Sequence, residues 1–187
     1  MIDFYFDFSS PFGYLASHKI EALAAKHGRE VKWRPMLLGA AFKATGMAPL
    51  TQIPLKGDYS KRDFYRSARF HGLSYRHPDP FPVSTVAACR AFYSLDHKPI
   101  AFAKAVLAAY FQDNVNIGEA DNVLRIADSV GVSVDMTSPA IKEKARAEVD
   151  AALARGVFGS PFVIVDGEPF WGLDRFDQID RWLQAPF

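Results

Sequence analysis

The opening stretch of the chain predicts a β-strand that runs directly into an α-helix. Residues 2–8 alternate apolar and polar side chains and are rich in aromatic residues, which is typical of a strand. Pro11 suits the first position of a helix, and Ser10 before it is a typical N-cap residue. The apolar side chains that follow repeat with helical spacing to about His27, where Gly28 can end the helix.

Further strand patterns follow this helix and close the chain. Residues 30–36 alternate and predict a second strand, so the chain begins with the order β-α-β. Near the other end, the apolar run 158–165 predicts a buried strand. Asp-Gly at 166–167 predicts a hairpin turn into a partner strand at 168–171. The amphipathic pattern over 176–183 then predicts a last helix, which completes a terminal β-β-α unit.

The middle of the chain, residues 38–155, shows helical periodicity and almost no strand signal. Helices are predicted over 38–46, 58–72, 83–95, 99–111, 119–130 and 138–155. Prolines in 47–57 and 73–82 predict a loop and an extended segment. The chain is therefore predicted to be an α/β protein with a thioredoxin-like fold, formed by residues 1–37 and 156–187, and a large all-helical insertion between them.

Composition sets limits on what the protein can do. The net charge of +1 gives no reason to expect nucleic acid or an anionic membrane as a partner. The N-terminus lacks the basic and apolar regions of a signal peptide, and the apolar runs are too short for a membrane span. A single cysteine, Cys89, excludes an internal disulfide, suits the cytoplasm and is expected to be a small buried residue. The five histidines lack metal-ligand spacing, so we expect no metal.

The four residues after the first strand are the predicted centre of function. Thioredoxin-like folds carry a redox Cys-x-x-Cys at this point. The slot here reads Ser-Pro-Phe-Gly from Ser10 to Gly13, so no dithiol cycle is possible. A strand that runs into a helix N-terminus places Ser10 where backbone N–H groups favour an anion. From these residues alone, a helix cap without a further role explains Ser10 equally well.

Residues 6–15, Phe-Asp-Phe-Ser-Ser-Pro-Phe-Gly-Tyr-Leu, resemble the opening of the 2-hydroxychromene-2-carboxylate isomerases and the related kappa-class glutathione transferases. The resemblance extends to the C-terminus and implies a DsbA-like thioredoxin fold, a cytoplasmic homodimer and glutathione as cofactor. It implies that Ser10 contacts the glutathione sulfur, and that Phe12 contacts a small aromatic substrate.

A second part of the site is predicted at Ser160 and Pro161, where the terminal strand begins. In thioredoxin-like folds a cis-proline loop lies beside the first helix. A cis bond lets the preceding residue offer its backbone N–H and C=O to a peptide-like ligand, and glutathione has such a backbone. An ordinary trans proline at the start of a strand is the alternative, and it is the commoner state of X-Pro bonds.

The tail segment Phe-Trp-Gly-Leu-Asp-Arg, residues 170–175, resembles the glutathione loop of the same family. The resemblance implies contacts from Trp171, Gly172, Leu173 and Asp174, with the Asp174 carboxylate on the γ-glutamyl ammonium. Leu173 stands where kappa transferases often have serine, so only a backbone contact can survive there. Asp174 can at the same time cap the last helix.

Two lysines complete the predicted site. Lys56 lies in a Pro-x-Lys-Gly stretch that resembles one whose lysine reaches the glycyl carboxylate of glutathione. Lys43 lies in a segment that resembles one near the substrate in the isomerases, and it is a candidate cation for a substrate carboxylate. The chain departs from the family pattern at Met47 and at Ser84, where relatives have asparagine.

The resemblance implies a glutathione-dependent isomerase that acts in the degradation of aromatic compounds. In such an enzyme the glutathione thiolate adds to the substrate, the former double bond rotates, and the thiolate leaves. A kappa-class transferase or peroxidase is the first alternative, because the motif at Ser10 serves both reactions. A non-catalytic thioredoxin-like binding module is the second alternative.

Overall fold

The computed structural model describes residues 1–187 and contains four strands and nine α-helices. The strands are β1 (Ile2–Phe6), β2 (Val31–Pro35), β3 (Phe162–Val165) and β4 (Glu168–Trp171). The helices are α1 (Pro11–Ser17), α2 (Ile20–Lys26), α3 (Leu38–Thr45), α4 (Lys56–Phe70), α5 (Val86–Ser94), α6 (Pro99–Phe111), α7 (Ala120–Val130), α8 (Pro139–Ala154) and α9 (Phe176–Gln184). Short 3-10 turns cover Leu50–Gln52 and Leu173–Arg175.

The four strands form one mixed sheet in the order β2-β1-β3-β4. Strand β1 pairs in parallel with β2 and antiparallel with β3, and β3 pairs antiparallel with β4. The parallel pair is joined through α1 and α2, and the antiparallel pair β3–β4 is joined by a tight hairpin turn. This arrangement, with helices α3–α8 inserted between its halves, is the thioredoxin-like fold that the pattern predicts.

Strand β1 lies in the middle of the sheet because its side chains are almost all apolar. Phe4, Phe6 and Phe8 are fully buried, and the rings of Phe4 and Phe6 stack at 5.3 Å. Trp33 of β2 meets Phe4 edge to face at 5.1 Å. Each such aromatic side chain removes roughly 150–250 Å² of surface from water, so this cluster dominates the packing beneath the sheet.

The inserted helices share this core. One continuous apolar cluster joins Phe4 and Phe6 of the sheet to Phe102 and Tyr110 of α6 and to Val123 of α7. The division into a thioredoxin-like domain and a helical insertion domain stays a prediction, because the two parts share one apolar core. No helix combines the length and the apolar character needed to cross a membrane.

The first helix is shorter than predicted, because it stops at Ser17 and a new helix starts at Ile20. The Ser17 hydroxyl donates to the Tyr14 carbonyl at 2.6 Å, and the His18 N–H does not bond to that carbonyl as it would in a continuous helix. The His18 N–H bonds to Leu15 instead. The prediction of one helix from Pro11 to about His27 was therefore wrong.

Other bounds differ near the cavity described below. Strand β1 ends at Phe6 rather than Phe8, and β3 starts at Phe162 rather than Phe158. The released residues form loops that carry Ser10 and Ser160. The Ser160–Pro161 bond is cis, as predicted, and the Asp79–Pro80 and Phe81–Pro82 bonds, for which no isomer was predicted, are cis as well.

Candidate active site

A cavity of about 1490 Å³ opens where the ends of several elements converge. Most of its lining comes from the β1–α1 loop, the first turns of α3 and the loop after it, one face of α4, the segment before α5, the loop before β3 and the segment between β4 and α9. Small-molecule sites measure roughly 300–1,000 Å³, so this cavity has room for more than one small ligand.

Ser10 lies at the floor of the cavity and is 4% exposed. The Gly13 N–H donates to Ser10 Oγ at 3.0 Å, which is the N-cap bond that the sequence predicts. Ser10 Oγ in turn donates to the Ser160 carbonyl at 3.0 Å. The fold thus brings together Ser10 and the Ser160–Pro161 loop, which are far apart in the chain.

Gly13 lies close against the side chains of both serines. A Cβ atom on Gly13 would lie 2.7 Å from Ser160 Oγ and 3.0 Å from Ser10 Cβ. Real Cβ atoms essentially never approach another atom as closely as 2.7 Å, so a side chain here would displace the Ser160 hydroxyl, which accepts from the Asp7 N–H. Gly13 occupies the last position of the slot in which redox relatives carry their second cysteine.

Asp7 is a further residue of the cavity wall, and no sequence pattern predicts its role. Its carboxylate is buried and accepts hydrogen bonds from the N–H groups of Ser9 and Leu38, both at 2.7 Å, and from the Thr85 hydroxyl at 3.1 Å. Its own N–H donates to Ser160 Oγ at 3.0 Å. Burial raises the pKa of Asp7, and the three donated hydrogen bonds oppose that rise.

Asp7 therefore ties together the three segments that surround Ser10. Ser9 belongs to the β1–α1 loop, Leu38 starts α3, and Thr85 is the residue before α5. The sequence hides this role, because alternation along the first strand assigns the polar residue between Phe6 and Phe8 to solvent.

The wall beside Ser160 is formed by aromatic and glycine residues. Trp171 meets Phe158 edge to face at 4.9 Å and is half exposed to the cavity. A Cβ on Gly159 would lie 2.3 Å from Trp171 Nε1, so the indole packs directly against the glycine backbone. The Gly172 N–H donates to the Pro161 carbonyl at 3.0 Å, which joins this wall to the proline loop.

Asp174 presents its carboxylate at the mouth of the cavity. Gly172 has φ of +106°, and a Cβ there would lie 2.4 Å from Asp174 Oδ1, so the carboxylate rests against the glycine. Leu173 is buried, whereas 74% of the Asp174 side chain is exposed and one carboxylate oxygen lies 3.5 Å from Arg175. Asp174 is thus accessible to a cationic ligand group.

The two predicted lysines are exposed and do not line the cavity. Lys56 is the first residue of α4, and Lys43 lies in the last turn of α3. The cations that do line the cavity are Lys19 and Arg175, together with His71. Burial and the positive charge of Lys19 lower the pKa of His71.

Three further residues singled out in the sequence do reach the cavity: Phe12, Met47 and Ser84. Phe12 lines it and meets Phe64 of α4 edge to face at 5.2 Å. Met47 and Ser84 also line it. Cys89 is buried, as predicted, and burial raises the pKa of its thiol, so it is not a thiolate nucleophile. No group of three His, Cys, Asp or Glu side chains is arranged to hold a metal ion.

Comparison with known proteins identifies the family. The model of the DSBA-like thioredoxin domain matches residues 1–184. The chain therefore belongs to the family of DSBA-like thioredoxin domains.

Within this family the chain is similar over its whole length to two kinds of enzyme. It is 32% identical to a 2-hydroxychromene-2-carboxylate isomerase of Sphingobium xenophagum, with 97% of each chain covered. It is 26% identical to glutathione S-transferase kappa 1 of Caenorhabditis elegans, with 99% of this chain and 91% of that protein covered. A solved structure of a 2-hydroxychromene-2-carboxylate isomerase matches with a TM-score of 0.86 at 26% identity, covering 98% of this chain and 94% of the other.

Proposed function

We propose that the protein is a glutathione-dependent isomerase of the 2-hydroxychromene-2-carboxylate type. The observation that carries this proposal is the pairing of Ser10 Oγ with the Ser160 carbonyl at 3.0 Å on the floor of a large cavity. The similarity to isomerases over nearly the whole chain supports it. A homodimer in the cytoplasm remains the corresponding prediction for assembly and location.

The residues present in the cavity fit glutathione. The Ser160 backbone and Pro161 would receive its central peptide, and Asp174 would receive its ammonium group. Glycine at positions 159 and 172 lets the Trp171 indole and the Asp174 carboxylate lie close to the backbone, and Leu173 would contribute its N–H. Bound glutathione supplies a thiolate nucleophile that can add to a conjugated double bond and leave again.

Ser10 would act through the position of its hydroxyl proton. The Gly13 N–H fixes the oxygen, and the proton points to the Ser160 carbonyl. A hydroxyl rotates freely, so the proton can turn to an anionic sulfur beside it. A hydrogen bond to the charged form lowers the pKa of a thiol. Since α1 is only seven residues long, we assign this effect to the hydroxyl rather than to the helix dipole.

The part of the cavity beside Phe12 would receive the aromatic substrate. The lining from α3 and the loop after it is mostly apolar and holds no charged side chain. Lys43 lies one helical turn beyond Gly39, which does line the cavity, so its side chain would have to extend over that glycine to meet a substrate carboxylate. Lys56 would likewise have to reach in from the start of α4 to meet the glycyl carboxylate.

The proposal is tested by turnover of a 2-hydroxychromene-2-carboxylate with and without glutathione. We expect isomerisation that requires glutathione and does not consume it, together with little conjugation of chlorodinitrobenzene. Consumption of glutathione in step with product would instead assign a transferase. If the protein does not bind to a glutathione column, the remaining alternative is a non-catalytic thioredoxin-like binding module.

A kappa-class transferase or peroxidase is the second candidate function. It is favoured by the absence of a cation from the part of the lining formed by α3 and its following loop. An uncharged electrophile would fit such a surface without a partner for a carboxylate.

A further inference from the structure

The first turn of α3 is joined to the loop that carries Ser10. The Asp7 carboxylate accepts one hydrogen bond from the Ser9 N–H and another from the Leu38 N–H, both at 2.7 Å. Ser9 and Leu38 are thus bound to the same carboxylate group. Ser10 and Gly39, the residues that follow them, both line the cavity.

Glycine at position 39 has no explanation in the folded backbone. It is the second residue of α3, where the helix itself does not call for glycine. It is absent from the glycines with positive φ, so the backbone conformation does not require it. A Cβ at Gly39 would meet nothing within 4 Å, whereas one at Gly57 would meet the Thr51 carbonyl at 2.6 Å.

Open space lies in front of Gly39, which is exposed and lines the cavity among mostly apolar residues. Gly39 lines the cavity together with Leu38 and Phe42 of the same helix, and Met47 and Pro49 follow in the loop. A side chain at position 39 would project into this space. The missing side chain therefore adds room where a flat apolar group can lie against the helix.

We propose that Gly39 is a specificity-determining residue that admits acceptors with two or more fused aromatic rings. This inference rests on the proposed function, since it places the reacting end of the acceptor at Ser10. The first ring lies near the reacting atom, and the outer ring occupies the space in front of Gly39. A larger residue at this position restricts the site to smaller acceptors.

The test measures, by calorimetry, the binding of glutathione, S-methylglutathione and S-(naphthylmethyl)glutathione. The wild-type protein is expected to bind the naphthylmethyl conjugate ~10-fold or more tightly than the methyl conjugate, because even one extra methylene in an apolar pocket is worth ~10-fold or more. Gly39→Leu is expected to remove that preference and to leave glutathione affinity within about twofold. The matched control is Ala44→Leu, which adds the same bulk on an exposed position of α3 outside the cavity lining.

Two results would overturn the inference. One is a Gly39→Leu variant that keeps the preference for the naphthylmethyl conjugate, and the other is a variant that loses affinity for all three ligands equally. Binding of 2-naphthol, which carries neither glutathione nor a carboxylate, separates this inference from the proposed function. If glutathione does not bind but 2-naphthol binds and Gly39→Leu weakens it, the subsite stands and the glutathione function falls. If Gly39→Leu leaves 2-naphthol binding unchanged, the subsite is excluded.

Discussion

Replacement of Ser10 by alanine is expected to lower glutathione-dependent turnover by ~10²-fold or more, because an oriented donor to a developing anion is worth about that much. The protein is expected to stay folded. Loss of the bond from the Gly13 N–H removes one helix cap, which costs ~1 kcal/mol. Steady-state kinetics with the chromene substrate, together with thermal unfolding, measures the two effects separately.

The chain offers a matched control for this variant. Ser138 stands before Pro139 and caps α8 through the Ile141 N–H, as Ser10 stands before Pro11 and caps α1. Neither Ser138 nor Pro139 lines the cavity. Ser138→Ala is expected to cost similar stability and to leave turnover unchanged. A Ser10→Ala protein with turnover close to that of the control would remove Ser10 from the mechanism.

Replacement of Asp7 by alanine is expected to lower the free energy of unfolding by roughly 3 kcal/mol or more. The Ser9 and Leu38 N–H groups would lose their buried acceptor, and each unsatisfied group costs about 1–3 kcal/mol. Turnover is expected to fall as well, since the carboxylate would no longer hold the start of α3 and Thr85 to the loop that carries Ser10. Urea unfolding followed by circular dichroism measures the stability change.

Asp7→Asn and Asp96→Ala complete this experiment. The asparagine amide keeps one acceptor oxygen but turns an NH₂ group towards a donor, so it is expected to recover only part of the loss. Asp96 is exposed and takes part in none of the hydrogen bonds or ion pairs of the structure, so its removal is expected to change stability by less than about 0.5 kcal/mol. An Asp7→Ala protein as stable as the Asp96→Ala control would show that Asp7 does not hold these segments together.

The order of elements is predictable because each depends on a local pattern. The hairpin follows from Asp166-Gly167, since residue 167 has φ of +97°, which glycine accepts readily. The helix predicted over 99–111 is observed with the same bounds, and the one predicted over 138–155 differs by one residue at each end. Proline at the start of both helices marks their beginnings without reference to the rest of the fold.

The structure differs from the prediction where the local conformation or role depends on a side chain or on a residue that is distant in the chain. The break after Ser17 is invisible in the apolar periodicity, which continues from Leu15 to Ile20 and Leu23 across it. The role of Asp7 depends on Leu38 and Thr85, which approach it only in the folded chain. The same limit applies to Lys56, since a motif match cannot give the direction of a side chain.

The central claim is that the Ser10 site binds glutathione and stabilises its thiolate. Titration of the ultraviolet absorbance of the thiolate, with the wild-type protein in excess over glutathione, tests it most directly. We expect the bound thiol to ionise roughly one pH unit or more below the value of about 8.5 that is usual for a free cysteine thiol, and the Ser10→Ala protein to lose that shift. Absence of binding, or a bound thiol with an unshifted pKa in the wild-type protein, would contradict the account.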